Sequence, residues 1–415
     1  MKTLTLDYAP IKVRAKSDWL AGQIKRRFYD NMKQIKFGQI TFLDQNDSVI
    51  CGDGHPKVTI KVVDSRFYSS LAFGGAIGGA ESYMDGCWTC EHLTQLVHIL
   101  LRNRNVLSGL DQTAIKKAFF KIIHFLNRDT EIGSKKNIAA HYDLGNELFK
   151  LFLDPTLTYS SGFFSDDKQS MEDASIAKLD RICKKLKLGK DDRIIEIGTG
   201  WGSFAIHAAS QYGCHVTTTT ISQEQYKVAK ERVKQAGLEN NITLLQKDYR
   251  NLTGNYDKLV SIEMIEAVGL KFLDGYLVKC ASLLKPNGNM LIQSITIADQ
   301  NFESAKHNVD FIQRYIFPGG ALPSITALST IATTKTDLRI YAIEDITEHY
   351  ALTLRRWREK FYENIESIKA LGYDNRFLKM WEYYLCYCEG GFDERAIGCI
   401  QLEFHKPAYK NLINT

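Results

Sequence analysis

Strand-like and helix-like segments alternate along the second half of the chain. Apolar runs rich in Ile, Val and Thr are separated by stretches with helical periodicity, a pattern typical of a parallel sheet covered by helices on both faces. The pattern predicts seven strands, at residues 193–198, 215–221, 242–248, 258–265, 289–297, 339–346 and 398–404. We therefore predict an α/β fold with a mostly parallel, doubly wound sheet for this half.

The first third of the chain has a different order of elements. Residues 39–45 and 57–63 alternate as strands do, whereas residues 93–103 and 114–126 have helical periodicity. Between them, the glycines of the small-residue run 73–90 predict turns or close backbone packing. Strands followed by helices are typical of an α+β domain.

The length of the chain favours two domains. At 415 residues it exceeds the usual size of one domain. The polar segment at 133–137 is the best candidate for a linker. We therefore predict a smaller α+β domain over residues 1–130 and a larger α/β domain over residues 131–415.

Composition narrows the class of protein. Hydrophobic residues make up 44% of the chain and charged residues 24%, as in ordinary globular proteins. We find no apolar run long enough to span a bilayer and no signal-like N-terminus, so we expect a cytoplasmic protein. The nine scattered cysteines suit reduced thiols better than a disulfide framework.

Positive charge is concentrated in the first third. Residues 1–136 contain 20 Lys and Arg against 13 Asp and Glu, whereas the whole chain has a net charge of +5. Such an excess indicates either a solvated surface or a polyanionic partner, which would be nucleic acid or an anionic lipid face. The helical segment carrying Lys25, Arg26 and Arg27 is the best candidate for a membrane-surface contact.

A glycine-rich turn gives the strongest chemical signal. Glu196, Gly198, Gly200 and Gly202 follow an apolar strand and precede a helical stretch. Glycines let the backbone turn sharply and approach a ligand, and ligands bind at the carboxyl ends of parallel strands. The spacing is similar to the E-x-G-x-G-x-G motif of class I (Rossmann-like) methyltransferases, which implies S-adenosylmethionine (SAM) as the cofactor.

The next two strands supply the rest of a cofactor pocket. After the second strand, Thr220 and Gln225 offer polar groups to the ribose hydroxyls. After the third strand, Asp248 offers a carboxylate, Tyr249 an aromatic face for adenine, and Arg250 completes the segment. Ordinary core packing is the alternative interpretation of Tyr249.

Further segments resemble the cyclopropane fatty acid synthase family. They cover residues 137–410 in order and comprise the runs at 141–146, 153–156, 158–164, 196–202, 220–225, 261–269, 315–323 and 349–357. A shorter match at 81–86 resembles that family's lipid-handling N-terminal domain. The resemblance implies transfer of a methyl or methylene group from SAM to the cis double bond of a phospholipid acyl chain. It also implies contact with a membrane surface rather than nucleic acid, with a homodimer as an open alternative.

The implied reaction passes through a carbocation, which aromatic faces can stabilise. The candidates for that role are Tyr159, Phe163, Tyr315, Phe317, Tyr350 and Trp357. Tyr159 and Ser160 are expected to close over the methionine end of the cofactor.

The resemblance also implies a proton acceptor, namely a bound bicarbonate. On this chain the matching residues are Glu266, Ile295 and Tyr350. Ser161 and Gln293 stand where members of the family have Cys and His, but both can still donate hydrogen bonds. If the altered site resolves the cation differently, the product is a methyl- or methylene-branched chain instead of a cyclopropane.

Several alternatives remain open from the sequence. His141 could be a base, but its amphipathic surroundings favour a structural or cofactor-shielding role. Cys87 and Cys90 have half of a zinc-site spacing without a second pair, so we expect no metal. Other functions to be weighed are methylation of a small unsaturated or phenolic metabolite and a non-enzymatic cofactor-binding role.

Overall fold

The computed structural model describes residues 18–45, 47–104 and 145–410, with the side chains of the first helix described from residue 22. The chain divides into two compact units, Met1–Lys116 and Lys117–Thr415. The predicted domain boundary near residue 130, the linker at 133–137, the helix-like segment 114–126 and His141 all lie outside the described residues.

The first unit is built on a four-stranded sheet with the order β2-β1-β3-β4. Strands β1 and β3 are parallel, and the two outer pairings are antiparallel. The two predicted strands, now β1 and β3, are confirmed, whereas β2 and β4 were not predicted. In chain order the elements are α1 (Asp18–Met32), β1 (Gln39–Asp44), β2 (Asp47–Cys51), β3 (Lys57–Val62), α2 (Arg66–Met84), β4 (Trp88–Cys90) and α3 (Leu93–Arg102).

The glycine-rich run of the first unit lies largely in helix α2. The expectation of turns is confirmed at Gly86, which lies in the turn after the helix with a φ of 76°, and Gly75 interrupts the helix with φ 57° and ψ −139°. The expectation of close backbone packing is confirmed at Gly78, where a Cβ atom would lie 2.0 Å from the carbonyl oxygen of Ser70. Small residues therefore serve here to bring two turns of backbone together.

Aromatic rings form the core of the first unit. Phe28 packs edge-on against Phe42, Phe67 and Tyr68 at centroid distances of 5.2, 5.5 and 5.6 Å. The Tyr68 hydroxyl donates to Asp44 at 2.7 Å. Asp44 also pairs with Lys25 at 2.8 Å, so the first residue of the basic segment stabilises this unit rather than facing solvent freely.

The second unit contains a seven-stranded sheet with the order β10-β11-β9-β8-β5-β6-β7. Strands β9, β8, β5, β6 and β7 are parallel, whereas β11 is antiparallel to both of its neighbours. The strands are β5 (Arg193–Ile197), β6 (His215–Thr220), β7 (Ile242–Gln246), β8 (Tyr256–Ile262), β9 (Leu284–Ile297), β10 (Arg339–Asp345) and β11 (Ile397–His405). All seven predicted strands are confirmed.

Helices cover both faces of this sheet. They are α4 (Asn146–Phe152), α5 (Met171–Lys185), α6 (Ser203–Tyr212), α7 (Gln223–Gln235), α8 (Leu273–Leu283), α9 (Asp299–Ala305), α10 (Ile325–Lys335), α11 (Thr347–Glu363), α12 (Ile365–Ala370) and α13 (Asn375–Asp393). Because side chains alternate along a strand, Ile194 packs with α5 and α6, whereas Ile195 packs with α8 and α10. The predicted class I methyltransferase fold is confirmed, with a smaller α+β unit before it.

In the described ranges, every helix is too short or too polar to cross a bilayer.

Candidate active site

A cavity opens at the carboxyl ends of β5, β6, β7 and β8. Its volume is about 1180 Å³ when the open solvent at its mouth is included, and its walls include the residues that follow these strands. Open parallel sheets bind their ligands at the carboxyl edge, at the point where the strand order changes direction. In this sheet that point lies between β5 and β8. The predicted cofactor residues that line the cavity are Tyr159, Ser160, Glu196, Gly198, Gly200, Thr220, Gln225, Asp248, Tyr249 and Arg250.

The glycine motif shapes the floor of the cavity. Gly198 and Gly200 have φ angles of 103° and 53°, which side chains rarely adopt. A Cβ atom on Gly198 would lie 3.0 Å from Met264, whereas one on Gly200 would meet no protein atom within 4 Å. Gly202 does not line the cavity but caps helix α6 in the left-handed conformation. The motif therefore provides space beside the backbone that a ligand can fill.

Polar side chains lie at the end of β6 and just after it. The Thr220 hydroxyl donates to Gln225 Oε1 at 3.0 Å and accepts from the backbone N–H of Ser222 at 3.1 Å. At the end of the first strand, Glu196 accepts a hydrogen bond of 2.5 Å from Thr218, and burial raises the pKa of Glu196 to about 8. Burial therefore favours the protonated form of this wall residue.

The segment that follows β7 contributes an ion pair and an aromatic ring. Arg250 forms two hydrogen bonds with Asp248, at 2.9 and 2.7 Å. The Tyr249 ring lies edge-on to Tyr276, with centroids 5.2 Å apart, while it also lines the cavity. Tyr249 thus combines the two roles that the sequence left as alternatives, packing on the core and facing the ligand space.

Lys178 is a buried cation that sequence reasoning missed. It lies on α5, is 0% exposed and lines the cavity. Its ammonium group donates to the Ser160 hydroxyl at 2.8 Å, and burial lowers its pKa to about 8. Helical periodicity makes such a lysine indistinguishable from a surface residue, so the sequence carried no signal for it.

Aromatic rings meet at the Tyr159 side of the cavity. The Tyr159 ring lies 5.2 Å from Trp357 and 6.4 Å from Phe317, and its hydroxyl is 3.0 Å from that of Tyr384. Phe163 instead lies under the guanidinium of Arg181 at 4.3 Å. Of the aromatic residues predicted to stabilise the carbocation, Tyr159 lines this cavity and the others do not.

Three of the predicted catalytic residues converge on one carboxylate, but that carboxylate is Glu263. Its Oε1 accepts from the backbone N–H of Ser161 at 2.9 Å and from the Gln293 amide at 2.7 Å. Its Oε2 accepts from the Tyr350 hydroxyl at 2.5 Å. The Ser161 hydroxyl donates to the Gly162 carbonyl oxygen instead.

Glu266 lies beside this cluster with different partners. Its Oε1 accepts from the Ile295 backbone N–H at 2.5 Å and from the Ser294 hydroxyl at 3.0 Å. Its Oε2 is buried without a hydrogen-bond partner. Burial, with Glu263 close by, raises the pKa of Glu266 to about 8. Glu263 lines the cavity, and Glu266 does not.

The family model of mycolic acid cyclopropane synthetase matches residues 130–402 of this chain. The chain belongs to this family. It is 37% identical over 336 residues to a tuberculostearic acid methyltransferase of Mycobacterium tuberculosis, covering 77% of this chain and 76% of that protein. It is 34% identical over 362 residues to the cyclopropane-fatty-acyl-phospholipid synthase of Escherichia coli K12, covering 85% and 89%.

Solved structures of the family have the same fold. The mycolic acid cyclopropane synthase CmaA1, solved in complex with SAH and CTAB, matches with a TM-score of 0.61 and 29% identity over 66% of this chain and 98% of its own. The cyclopropane synthase MmaA2 of M. tuberculosis matches with a TM-score of 0.61, 28% identity and the same coverage. This member of the family is therefore a SAM-dependent methyltransferase.

The cavity fits SAM. Gly200 leaves space against the backbone, Thr220 and Gln225 present hydroxyl and amide groups, and Tyr249 presents a ring. At the Ser160 end, the buried ammonium of Lys178 can neutralise a carboxylate such as that of the methionine moiety.

Proposed function

We propose that this enzyme transfers the methyl carbon of SAM to a cis double bond in the acyl chain of an unsaturated phospholipid. The observation that carries the proposal is the position of Glu263, a carboxylate held by three donors in the wall of the cofactor cavity. An alkene has no proton to lose before it is methylated, so its methyltransferase needs an acceptor that acts after the transfer. The likeness to the E. coli synthase over 85% of the chain supports a phospholipid as the substrate.

The residues of the chain have three tasks in this reaction. Bound SAM supplies an electrophilic methyl group on its sulfonium. The cavity must exclude water from the cation that forms on the acyl chain, and the ring of Tyr159, packed on Trp357, gives it an apolar wall. That ring can also stabilise the positive charge through its π face. Glu263 stands on the wall where a proton can be removed.

Loss of a proton from the added carbon closes a cyclopropane ring, which is the first candidate product. The second candidate is a methylene-branched chain, formed when a hydride shifts before a proton is lost. Two observations favour the second candidate: the acceptor environment around Glu263 differs from the one the resemblance implied, and a relative at 37% identity is named a tuberculostearic acid methyltransferase.

We further propose that the first unit handles the lipid at a membrane surface on the cytoplasmic side. The first unit, residues 1–116, carries 15 basic against 11 acidic side chains, and Arg26 and Arg27 are exposed on α1. Basic side chains near an anionic bilayer are attracted to it.

The test is expression in a bacterial host that lacks its own cyclopropane synthase, followed by mass spectrometry of the phospholipid fatty acids. We expect monounsaturated chains to be replaced by chains heavier by one CH₂. A cyclopropane and a methylene branch have the same mass, so proton NMR of the purified ester must distinguish them. A Gly200→Val variant, whose side chain would fill the cofactor space, serves as the inactive control. An unchanged lipid profile in cells that contain folded wild-type protein would refute the proposal.

A further inference from the structure

The arrangement around Glu263 is that of an anion-binding site already filled by the protein. A backbone N–H, a side-chain amide and a phenol, from Ser161, Gln293 and Tyr350, all point at its two oxygens. The Cys399 thiol lies 3.9 Å from Oε1 as a further weak donor. Donors of this kind stabilise the ionised form of a carboxyl group.

The backbone at Glu263 is strained in a way that places this carboxylate. Glu263 has a φ of 49°, in the left-handed region that favours glycine. Its own N–H donates to the carbonyl oxygen of Gln293 at 2.8 Å, which ties the strained residue to β9. A non-glycine residue in this conformation is strained, and such strain is found at functional sites. Glycine would fit this backbone better than the glutamate that stands here.

Of the two neighbouring carboxyl groups, Glu263 is the one that ionises first. Both pKa values are raised by burial, but Glu263 has donors on both oxygens and is attracted by the buried Lys178 ammonium. Glu266 has one oxygen without a partner, and the adjacent Glu263 raises its pKa further. Two close carboxyl groups do not both ionise readily, so Glu266 holds the proton and Glu263 the charge.

The bicarbonate expected from the sequence does not fit this site. The residues expected to surround it donate hydrogen bonds to Glu263 instead. The donors are the backbone N–H of Ser161, the amide of Gln293 and the hydroxyl of Tyr350. A second anion against the same donors would stand next to the Glu263 carboxylate and be repelled by it.

We propose that the Glu263 carboxylate is itself the proton acceptor of the reaction, in place of a bound bicarbonate. This inference rests on the proposed function. After methyl transfer, a C–H bond of the added methyl group breaks and its proton passes to an oxygen of Glu263. For a cyclopropane, the electron pair of that C–H bond forms the C–C bond from the added carbon to the cationic carbon. For a methylene branch, a hydride first shifts to the cationic carbon from its neighbour, and the pair then forms the second bond of the C=CH₂ group. In both cases the cation is neutralised. Glu263 then releases the proton to solvent through the cavity that it lines.

The first experiment measures turnover in degassed, bicarbonate-free buffer and in the same buffer with added bicarbonate. Wild-type turnover is expected to be equal in the two buffers. Glu263→Gln keeps the size of the side chain but cannot accept the proton, so turnover should fall by roughly 10²-fold or more. Glu303→Gln, which removes an exposed carboxylate from α9, should behave as wild type.

The second experiment measures binding, independently of activity. Glu263→Gly relieves the backbone strain and frees the three donors. It should therefore fold, bind S-adenosylhomocysteine with wild-type affinity in calorimetry, and bind ¹³C-bicarbonate detected by NMR line broadening. The wild type should show no such broadening. Added bicarbonate should also restore turnover in Glu263→Gly by at least tenfold, about 1.4 kcal/mol.

Two results would overturn the inference: wild-type turnover that requires bicarbonate, or a Glu263→Gln variant that keeps wild-type turnover. Both presuppose a methylated acyl product from the wild type with bicarbonate present. If the wild type forms no such product under any condition while binding S-adenosylhomocysteine, the proposed function fails instead, so the two failures are distinguishable.

Discussion

Gln293 donates its amide to Glu263 at 2.7 Å, and the strand register explains why it can. Gln293 pairs with Ile262, the last residue of β8, so that its side chain stands beside the residue that follows this strand. On its other side Gln293 pairs with Gln401, whose side-chain amide donates to the side-chain Oε1 of Gln293 at 3.1 Å. Because that oxygen is already engaged, the NH₂ group of Gln293 is directed toward Glu263. Three adjacent strands thus orient one carboxylate.

Removing the hydroxyl of Tyr350 should impair catalysis without unfolding the site. The Tyr350 ring stacks on Phe392 with centroids 4.2 Å apart, and Tyr350→Phe preserves this contact. The hydrogen bond to Glu263 Oε2 is lost, which leaves the carboxylate less well oriented. We expect turnover to fall by about tenfold or more. Affinity for S-adenosylhomocysteine should stay within threefold in calorimetry, because this hydroxyl lies outside the cavity lining. A parallel loss of affinity would indicate a structural role instead.

Filling the space beside Gly200 should abolish cofactor binding. Gly200 and Gly237 both have positive φ angles, 53° and 66°, and neither would bring a Cβ atom within 4 Å of another residue. Gly200→Val and Gly237→Val therefore carry similar backbone strain, on the order of 1–2 kcal/mol. Gly200 lines the cavity and Gly237 does not. Calorimetry should show S-adenosylhomocysteine binding in Gly237→Val and none in Gly200→Val. Equal binding by both variants would contradict the assignment.

Glu266 should make the enzyme less stable as the pH rises toward 8. Its pKa is about 8 in the folded protein, against an ordinary value of 4.5, so the folded state binds more protons between these values. The stability that this group contributes is fully present below pH 4.5 and is lost as the pH rises through 8. Glu266→Gln cannot ionise, so the difference in melting temperature between variant and wild type should shift in favour of the variant from pH 5 to pH 8. The difference in the free energy of unfolding between variant and wild type should change by about 1 kcal/mol per pH unit.

Thermal melts at several pH values test this prediction, with Glu303→Gln as the control. Glu303 is an exposed side chain that pairs with Lys306, and its removal should leave the pH profile unchanged. A Glu266→Gln profile parallel to that of the wild type would mean that Glu266 does not change protonation in this range.

Membrane docking should depend on Arg26 and Arg27 rather than on Lys25. Lys25 pairs with Asp44 and Asp47, so its charge is already partly neutralised within the first unit. Replacing the two exposed arginines with serine should weaken flotation with anionic vesicles, by about 1 kcal/mol for each. The effect should fade as salt is added, because salt screens exposed charges. The control replaces Lys230 and Lys234, which are exposed on α7, with serine. Equal losses in both double variants would point to unspecific attraction.

The sequence by itself determined the sheet of the second unit and the glycine turn that lines the cofactor cavity. The seven strands of the second unit were predictable because hydrophobic alternation is a local property of the chain. The glycine turn was predictable because Gly198 and Gly200 have a backbone geometry that residues with side chains rarely adopt. The resemblance located the segments that carry Ser161, Gln293 and Tyr350, and the structure brings these residues together.

Only the tertiary structure decided which carboxylate these residues surround. Glu263 and Glu266 are three residues apart in one motif, and their side-chain chemistry is identical. The left-handed backbone at Glu263 and the register of β8 with β9 place the Glu263 carboxylate in the cavity wall, among these three donors. The Glu266 carboxylate instead accepts from the Ile295 backbone N–H, outside the cavity lining. Lys178 is likewise an ordinary helical lysine until the packing of α5 buries it beside Ser160. The charge of such groups is set by burial and by partners that lie between 18 and 102 residues away along the chain, and neither is encoded in local spacing.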